Sequence, residues 1–124
     1  MGIPQIKTQR INATTGTAGG ATAYGEYTIV GFALAIEWID GDFADGVDAV
    51  VSVTQTPSGV DRTLLTLTDA NADAFYNLRE LEYGNTGASL GTYTLPLITG
   101  LVKLVVSSGG DTKTGGIVVY YHSQ

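Results

Sequence analysis

The longest regular alternation in the chain runs from Thr28 to Trp38, where Val30, Phe32, Leu34, Ile36 and Trp38 fall on every second position. A period of two is the mark of a strand, because successive side chains leave opposite faces of the pleat. The pattern predicts one buried face made of these five. Ile29, Gly31, Ala33, Ala35 and Glu37 take the other face and are small enough to lie under a second layer. Asp40-Gly41-Asp42 and Asp45-Gly46 then mark a turn. Val47, Ala49, Val51 and Val53 predict the next strand, closed by Thr56-Pro57-Ser58-Gly59 with Pro at the second turn position. Arg62–Thr68 predicts a strand that points Leu65 and Leu67 inward. Tyr93, Leu95 and Leu97 alternate before Thr99-Gly100, and Val102, Leu104 and Val106 form a further strand. Beyond the Ser108–Gly115 loop, Ile117, Val119 and Tyr121 form the last one, and these final two strands are expected to pair as a hairpin with a long tip.

Two stretches do not follow this rhythm. Over Asp69–Tyr83, Ala74, Phe75, Leu78 and Leu81 have helical spacing, with Asn71 as an N-cap and Gly84 as a stop. The same residues also read as a loop entering a strand through Phe75 and Leu81, and the two readings stand side by side. Residues 1–24 read as a flexible N-terminal arm, with residues 25–124 as the folded domain. Within the arm, Gln5–Ile11 alternates well enough for a weak edge strand. Asn12–Ala23 is small and polar, with little to offset an ordering cost of roughly 1–2 kcal/mol per residue.

Composition supports strands over helices. Gly accounts for 17 of the 124 residues, and Thr, Ser and Asn are plentiful, which suits short strands joined by tight turns. Six or seven short strands at spacings of roughly 8–12 residues or a little more, with no internal repeat, predict an all-β, single-domain antiparallel β-sandwich, jelly-roll-like or Ig-like. Only 15% of residues are charged, and the net charge is -6. An acidic surface repels phosphate backbones, so no nucleic-acid partner is expected. No apolar run approaches the roughly 18 residues of a membrane helix, and no membrane partner is expected. The first seven residues contain no apolar core of a secretory signal.

Candidate chemistry is sparse. With no cysteine, thiolate catalysis and Cys-based metal sites are excluded. The single histidine, His122, is third from the C-terminal end, a poor place to hold a general base. The Gly-rich pieces at 16–20 and 109–116 precede no helix and read as turns rather than phosphate cradles. Asp40, Asp42, Asp45 and Asp48 crowd one turn and offer carboxylates for glycoside chemistry, but solvated turn acids are the stronger reading. Asp69, Asn71, Asp73, Asn77 and Glu80 match the oxygen-ligand positions of an EF-hand loop, but Ala74 stands where that loop needs Gly and a strand precedes it. Seven tyrosines dominate the aromatics and suit an interface or a sugar-binding face. No catalytic, cofactor-binding or metal-binding residue is assigned, and no enzyme activity is expected.

The segment from Thr94 to Gly110 (TLPLITGLVKLVVSSGG), followed by Lys113-Thr114-Gly115-Gly116-Ile117-Val118-Val119-Tyr120-Tyr121, resembles small structural proteins of tailed bacteriophages. Those end in a Lys-bearing strand, a Gly-rich tip with Lys-Ser/Thr-Gly, and a valine- and tyrosine-rich strand. Phe75-Tyr76-Asn77-Leu78-Arg79 is similar to their aromatic-Tyr-x-x-Arg element, departing at Leu78, where Pro is common. The resemblance spans residues 63–121. It implies a virion component, either a head decoration (cement) protein or a head–tail or tail-associated one. Such a protein forms a symmetric homo-oligomer, a trimer before a dimer, and binds major capsid or tail proteins. The alternative is a carbohydrate-binding β-sandwich module in host recognition, using Tyr faces and calcium.

Overall fold

The computed structural model describes residues 5–123, and β-branched and alternating runs fold there into ten strands with no helix among the described residues. They are β1 (Gln5–Thr14), β2 (Ala21–Tyr24), β3 (Ile29–Ile39), β4 (Asp48–Thr54), β5 (Arg62–Leu67), β6 (Ala74–Asn77), β7 (Glu80–Tyr83), β8 (Ser89–Thr94), β9 (Leu97–Ser107) and β10 (Thr114–Ser123). All pairings are antiparallel. One layer holds β1, β10, β3 and β6, and the other holds β2, β9, β4 and β5. The start of β3 pairs with the start of β9 and so joins the layers at one corner. The protein is the expected single-domain antiparallel β-sandwich.

The core lies between the layers. Ile11, Ile36, Trp38, Ile117 and Val119 from the first face Val51, Val53, Val102, Leu104 and Val106 from the second, all close to fully buried. Trp38 is the largest, and its indole Nε1 donates to the Ala70 carbonyl at 2.9 Å, which satisfies the one polar atom it carries into the core. Phe43 stacks on Trp38 with ring centroids 5.6 Å apart. It fits because residue 115 is Gly: a Cβ there would overlap the Phe43 ring.

Four expectations meet a different arrangement. The face assigned to β3 holds for Ile36 and Trp38 but inverts before them: Ile29 and Ala33 are buried while Val30 is 66% exposed. The reason is a β-bulge. Tyr120 pairs with Ala35 and Tyr121 with Ala33, so Leu34 is an extra residue and the phase of the strand flips across it. Second, β9 and β10 do not form a hairpin; the loop between them crosses from one layer to the other. Third, the alternation through Tyr93, Leu95 and Leu97 is broken at Leu95-Pro96 into β8 and β9. Fourth, Asp69–Tyr83 does not form the helix that its spacing allows; the other reading holds, with Phe75 in β6 and Leu81 in β7.

Much of the segment read as an arm is built into both layers. Residues 1–4 lie outside the described residues, but Gln5–Thr14 pairs along its whole length with β10 and Ala21–Tyr24 pairs with β9. Its small residues order because they lie against the second Gly-rich segment. The Thr15 hydroxyl donates to the Gly110 carbonyl at 2.6 Å and accepts from the Lys113 amide at 2.8 Å, and the Gly109 amide donates to the Gly19 carbonyl. These bonds, with burial of Ile11 and Ala13, offset the ordering cost.

Two outcomes follow. Removing residues 1–14 strips a core strand, and the truncated chain should lose at least about 3 kcal/mol of stability from burial of Ile11 and the lost ladder. An unchanged midpoint in urea unfolding would contradict this. Trp38→Phe should cost about 2–3 kcal/mol by the same measurement, since it removes core volume and leaves the Ala70 carbonyl unpaired.

Candidate functional site

The outer face of the β1-β10-β3-β6 layer is a candidate interaction surface. Register fixes its rows. Ile6, His122, Phe32 and Leu97 lie side by side across β1, β10, β3 and β9. Thr8, Tyr120, Ala35 and Asn77 form the next row, then Arg10, Val118, Glu37 and Phe75. Val30 projects beyond Phe32 on the same face, beside Thr99. Ile6 and Val30 are each 66% exposed and Phe75 is 55% exposed, while Phe32, Val118, Tyr120 and His122 are half-buried in the same surface. Several large apolar side chains left open on one sheet face mark it as a candidate interaction surface.

The ionisable groups in these rows are few. Glu37 accepts from the Tyr120 hydroxyl at 3.1 Å, which together with burial holds the Tyr120 phenol above its ordinary range. The Tyr120 ring meets Phe75 in a tilted contact, centroids 5.4 Å apart. Arg10 donates through Nε to Asn12 Oδ1 at 2.7 Å, beside an open hollow lined by Asn12, Ile39, Thr114 and Gly115. His122 sits in this face, paired on both sides, rather than at a frayed end. Sequence alternation missed the surface because the Leu34 bulge turns Val30 and Phe32 outward.

A second feature projects from the body. Strands β7 and β8 form a separate two-stranded ribbon, with Leu81 opposite Tyr93 and Tyr83 opposite Ser89. Tyr83, Leu90 and Tyr93 are exposed on it. Its base is fixed by Arg62, which binds Glu80 Oε1 at 2.9 Å and the Leu97 carbonyl at 2.7 Å.

The acidic turns serve the backbone. Asp42 Oδ1 accepts from the Thr114 amide at 2.6 Å, Asp48 Oδ1 from the Asp69 amide at 3.0 Å, and Asp73 Oδ1 from the Asp40 amide at 2.8 Å. The Thr114 bond, assisted by Lys113, holds the Asp42 carboxyl below the usual range. The residues matching an EF-hand pattern are dispersed: Asn71 accepts from the Gly46 amide, Asn77 ends β6, and Glu80 pairs with Arg62. Among the described residues no three His, Asp or Glu side chains gather as a metal site.

No family model matches this chain, and neither the curated proteins nor the solved structures contain a match to it.

Asp40 gives a pH test of the acidic end. Its Oδ1 is buried without a partner, and burial, then Asp73 and Asp45, raise its carboxyl above the ordinary 3.8. A carboxyl raised on folding contributes stability at low pH that is lost as pH rises through its folded value. Asp40→Asn should therefore raise the thermal midpoint at pH 7 and leave it nearly unchanged at pH 3. An equal shift at both pH values would contradict the assignment.

Proposed function

We propose that this chain is a structural protein of a tailed-bacteriophage virion, a capsid decoration or a head–tail or tail-associated component. It self-assembles and binds the virion shell. The observation that carries this reading is the outer sheet face, with Ile6, Val30, Phe75 and Leu97 open to solvent together. A face of this kind gains stability by being covered, at roughly 25 cal/mol per Å² of apolar surface removed from water. The low share of charged residues, 15%, lowers the desolvation cost of bringing copies together. The phage assignment itself rests on the likeness of residues 63–121 to small virion proteins.

The test is solution mass by light scattering over a range of concentration. The full chain should form a discrete oligomer. Val30→Asp, which places a charge at the open edge of the face, should raise the half-dissociation concentration at least about tenfold, the equivalent of 1.4 kcal/mol, with unchanged far-UV circular dichroism. A monomer at every concentration overturns self-assembly and, if it binds a glycan array, favours the carbohydrate-binding alternative. The virion half is tested by genomic context: flanking capsid or tail genes are expected, and unrelated flanking genes overturn it.

A further inference from the structure

We propose that the free edge of β1 takes up an extended, acidic segment of a partner protein as an added strand. This edge is distinct from the sheet face that carries the self-assembly reading, so the inference goes beyond that reading.

The ten residues of β1 pair with β10 in unbroken register, and among the described residues no strand pairs with the other side. The ladder fixes which groups lie open. The Thr15 amide donates to the Lys113 carbonyl at 2.8 Å, and a Cβ on Gly116 would overlap the Ile11 carbonyl oxygen. Odd-numbered residues of β1 therefore turn their main-chain groups towards β10. Main-chain direction alternates along an antiparallel strand. The N–H and C=O groups of Ile6, Thr8, Arg10, Asn12 and Thr14 point away from the sheet, and none is hydrogen-bonded among the described residues.

The other edges suit such an addition less well. Strands β2 and β6 have four residues each, and β5 meets β4 through a bulge between Val51 and Ser52. In the ribbon, β7 has four residues, and Gly91 within β8 takes a φ of 73°. Short, bulged or kinked edges are the means by which sheets avoid pairing with other chains. β1 has neither a bulge nor a proline. A long regular edge of this kind is a template for one more strand.

Charge decides what the added strand carries. β1 holds Lys7 and Arg10, two of the 6 cationic residues of the chain, and no Asp or Glu, against a net charge of -6. Both side chains are exposed, and neither has a carboxylate within ion-pair distance among the described residues. Lys7, opposite Tyr121, leaves by the core side of the strand, and Arg10, opposite Val118, leaves by the outer side. An added strand flanks both sides, so two carboxylates three residues apart on it meet both cations. Glu37 does not take that place: β10 lies between it and Arg10, and it is bonded to Tyr120. A second copy's β1 would bring two more cations to the edge, and like charges across a strand pair repel. Cations on an edge thus turn away strands of their own sign and admit acidic ones.

The probe is a peptide about ten residues long, made of Thr and Val with two Glu three positions apart. It is added at millimolar concentration to the isotope-labelled chain and followed by NMR. Amide resonances of Ile6–Thr14 should shift, and the outward amides of Thr8, Arg10 and Asn12 should gain protection from exchange. A peptide with Lys in place of Glu, or with the amides of one edge N-methylated, should bind at least about tenfold more weakly. Thr8→Pro removes one outward N–H and leaves the bonds to β10 in place, and it should weaken the Glu peptide at least about tenfold. Lys7→Glu with Arg10→Glu should reverse the preference in favour of the Lys peptide. All three side chains are exposed, and circular dichroism checks the fold of each variant. Equal binding of the Glu and Lys peptides, shifts confined to residues outside β1, or no shift at all overturns the inference. So does a wild-type dimer that Thr8→Pro dissociates, which gives the edge to a second copy.

Discussion

One extra residue, Leu34, sets the character of the outer surface. Without the bulge, β3 would face a poor choice. Burying Val30, Phe32 and Leu34 in phase with Trp38 would leave Ile29 and Ala33 outside, and the opposite phase would bury Glu37 and expose the indole. The bulge resolves the conflict by keeping Ile29 and Ala33 inside at one end and Ile36 and Trp38 inside at the other. A buried carboxylate at Glu37 would cost several kcal/mol, so the phase change is strongly favoured. Its consequence is that Val30 and Phe32 come out beside Leu97, His122 and Ile6, and the strand that builds the core also builds the apolar exterior.

Residue 31 shows how closely this arrangement is fitted. A Cβ on Gly31 would overlap the His122 carbonyl, so glycine there lets β3 and the end of β10 approach while the strand changes partners. From that point β3 leaves β9 and takes up β6 on the same edge. The ribbon issues from the same corner, since β6 leads into β7 and β8 leads back into β9. The apolar face and the projecting ribbon are therefore products of one local solution to strand partnering.

The opposite end of the sandwich follows another logic. Carboxylates of Asp42, Asp48 and Asp73 accept backbone amides that the turns would leave unpaired, and the Gly-rich segments at 16–20 and 109–116 close on each other. Asp42, Asp48, Asn71 and Asp73, which in sequence suggest acid catalysis or a calcium loop, are occupied in satisfying the backbone, and Glu80 pairs with Arg62. Asp40 Oδ1 is the exception, buried with no donor.

Strands with one face buried throughout were legible in the chain itself: Ala49, Val51 and Val53, Val102, Leu104 and Val106, and Ile117, Val119 and Tyr121 all point into the core as their alternation predicts. Turn glycines and the all-β class follow from the same local chemistry. Strand partners were not legible, because pairing depends on residues far apart in sequence. Ile11 meets Ile117, and this is why a stretch with little to bury by itself becomes a paired strand and why the last two strands lie in different layers. The exposed surface was least legible of all. Alternation by itself determined that Thr28–Trp38 is a strand, but only the tertiary structure decided which side chains face outward, because a one-residue bulge inverts every position before it without altering the sequence pattern.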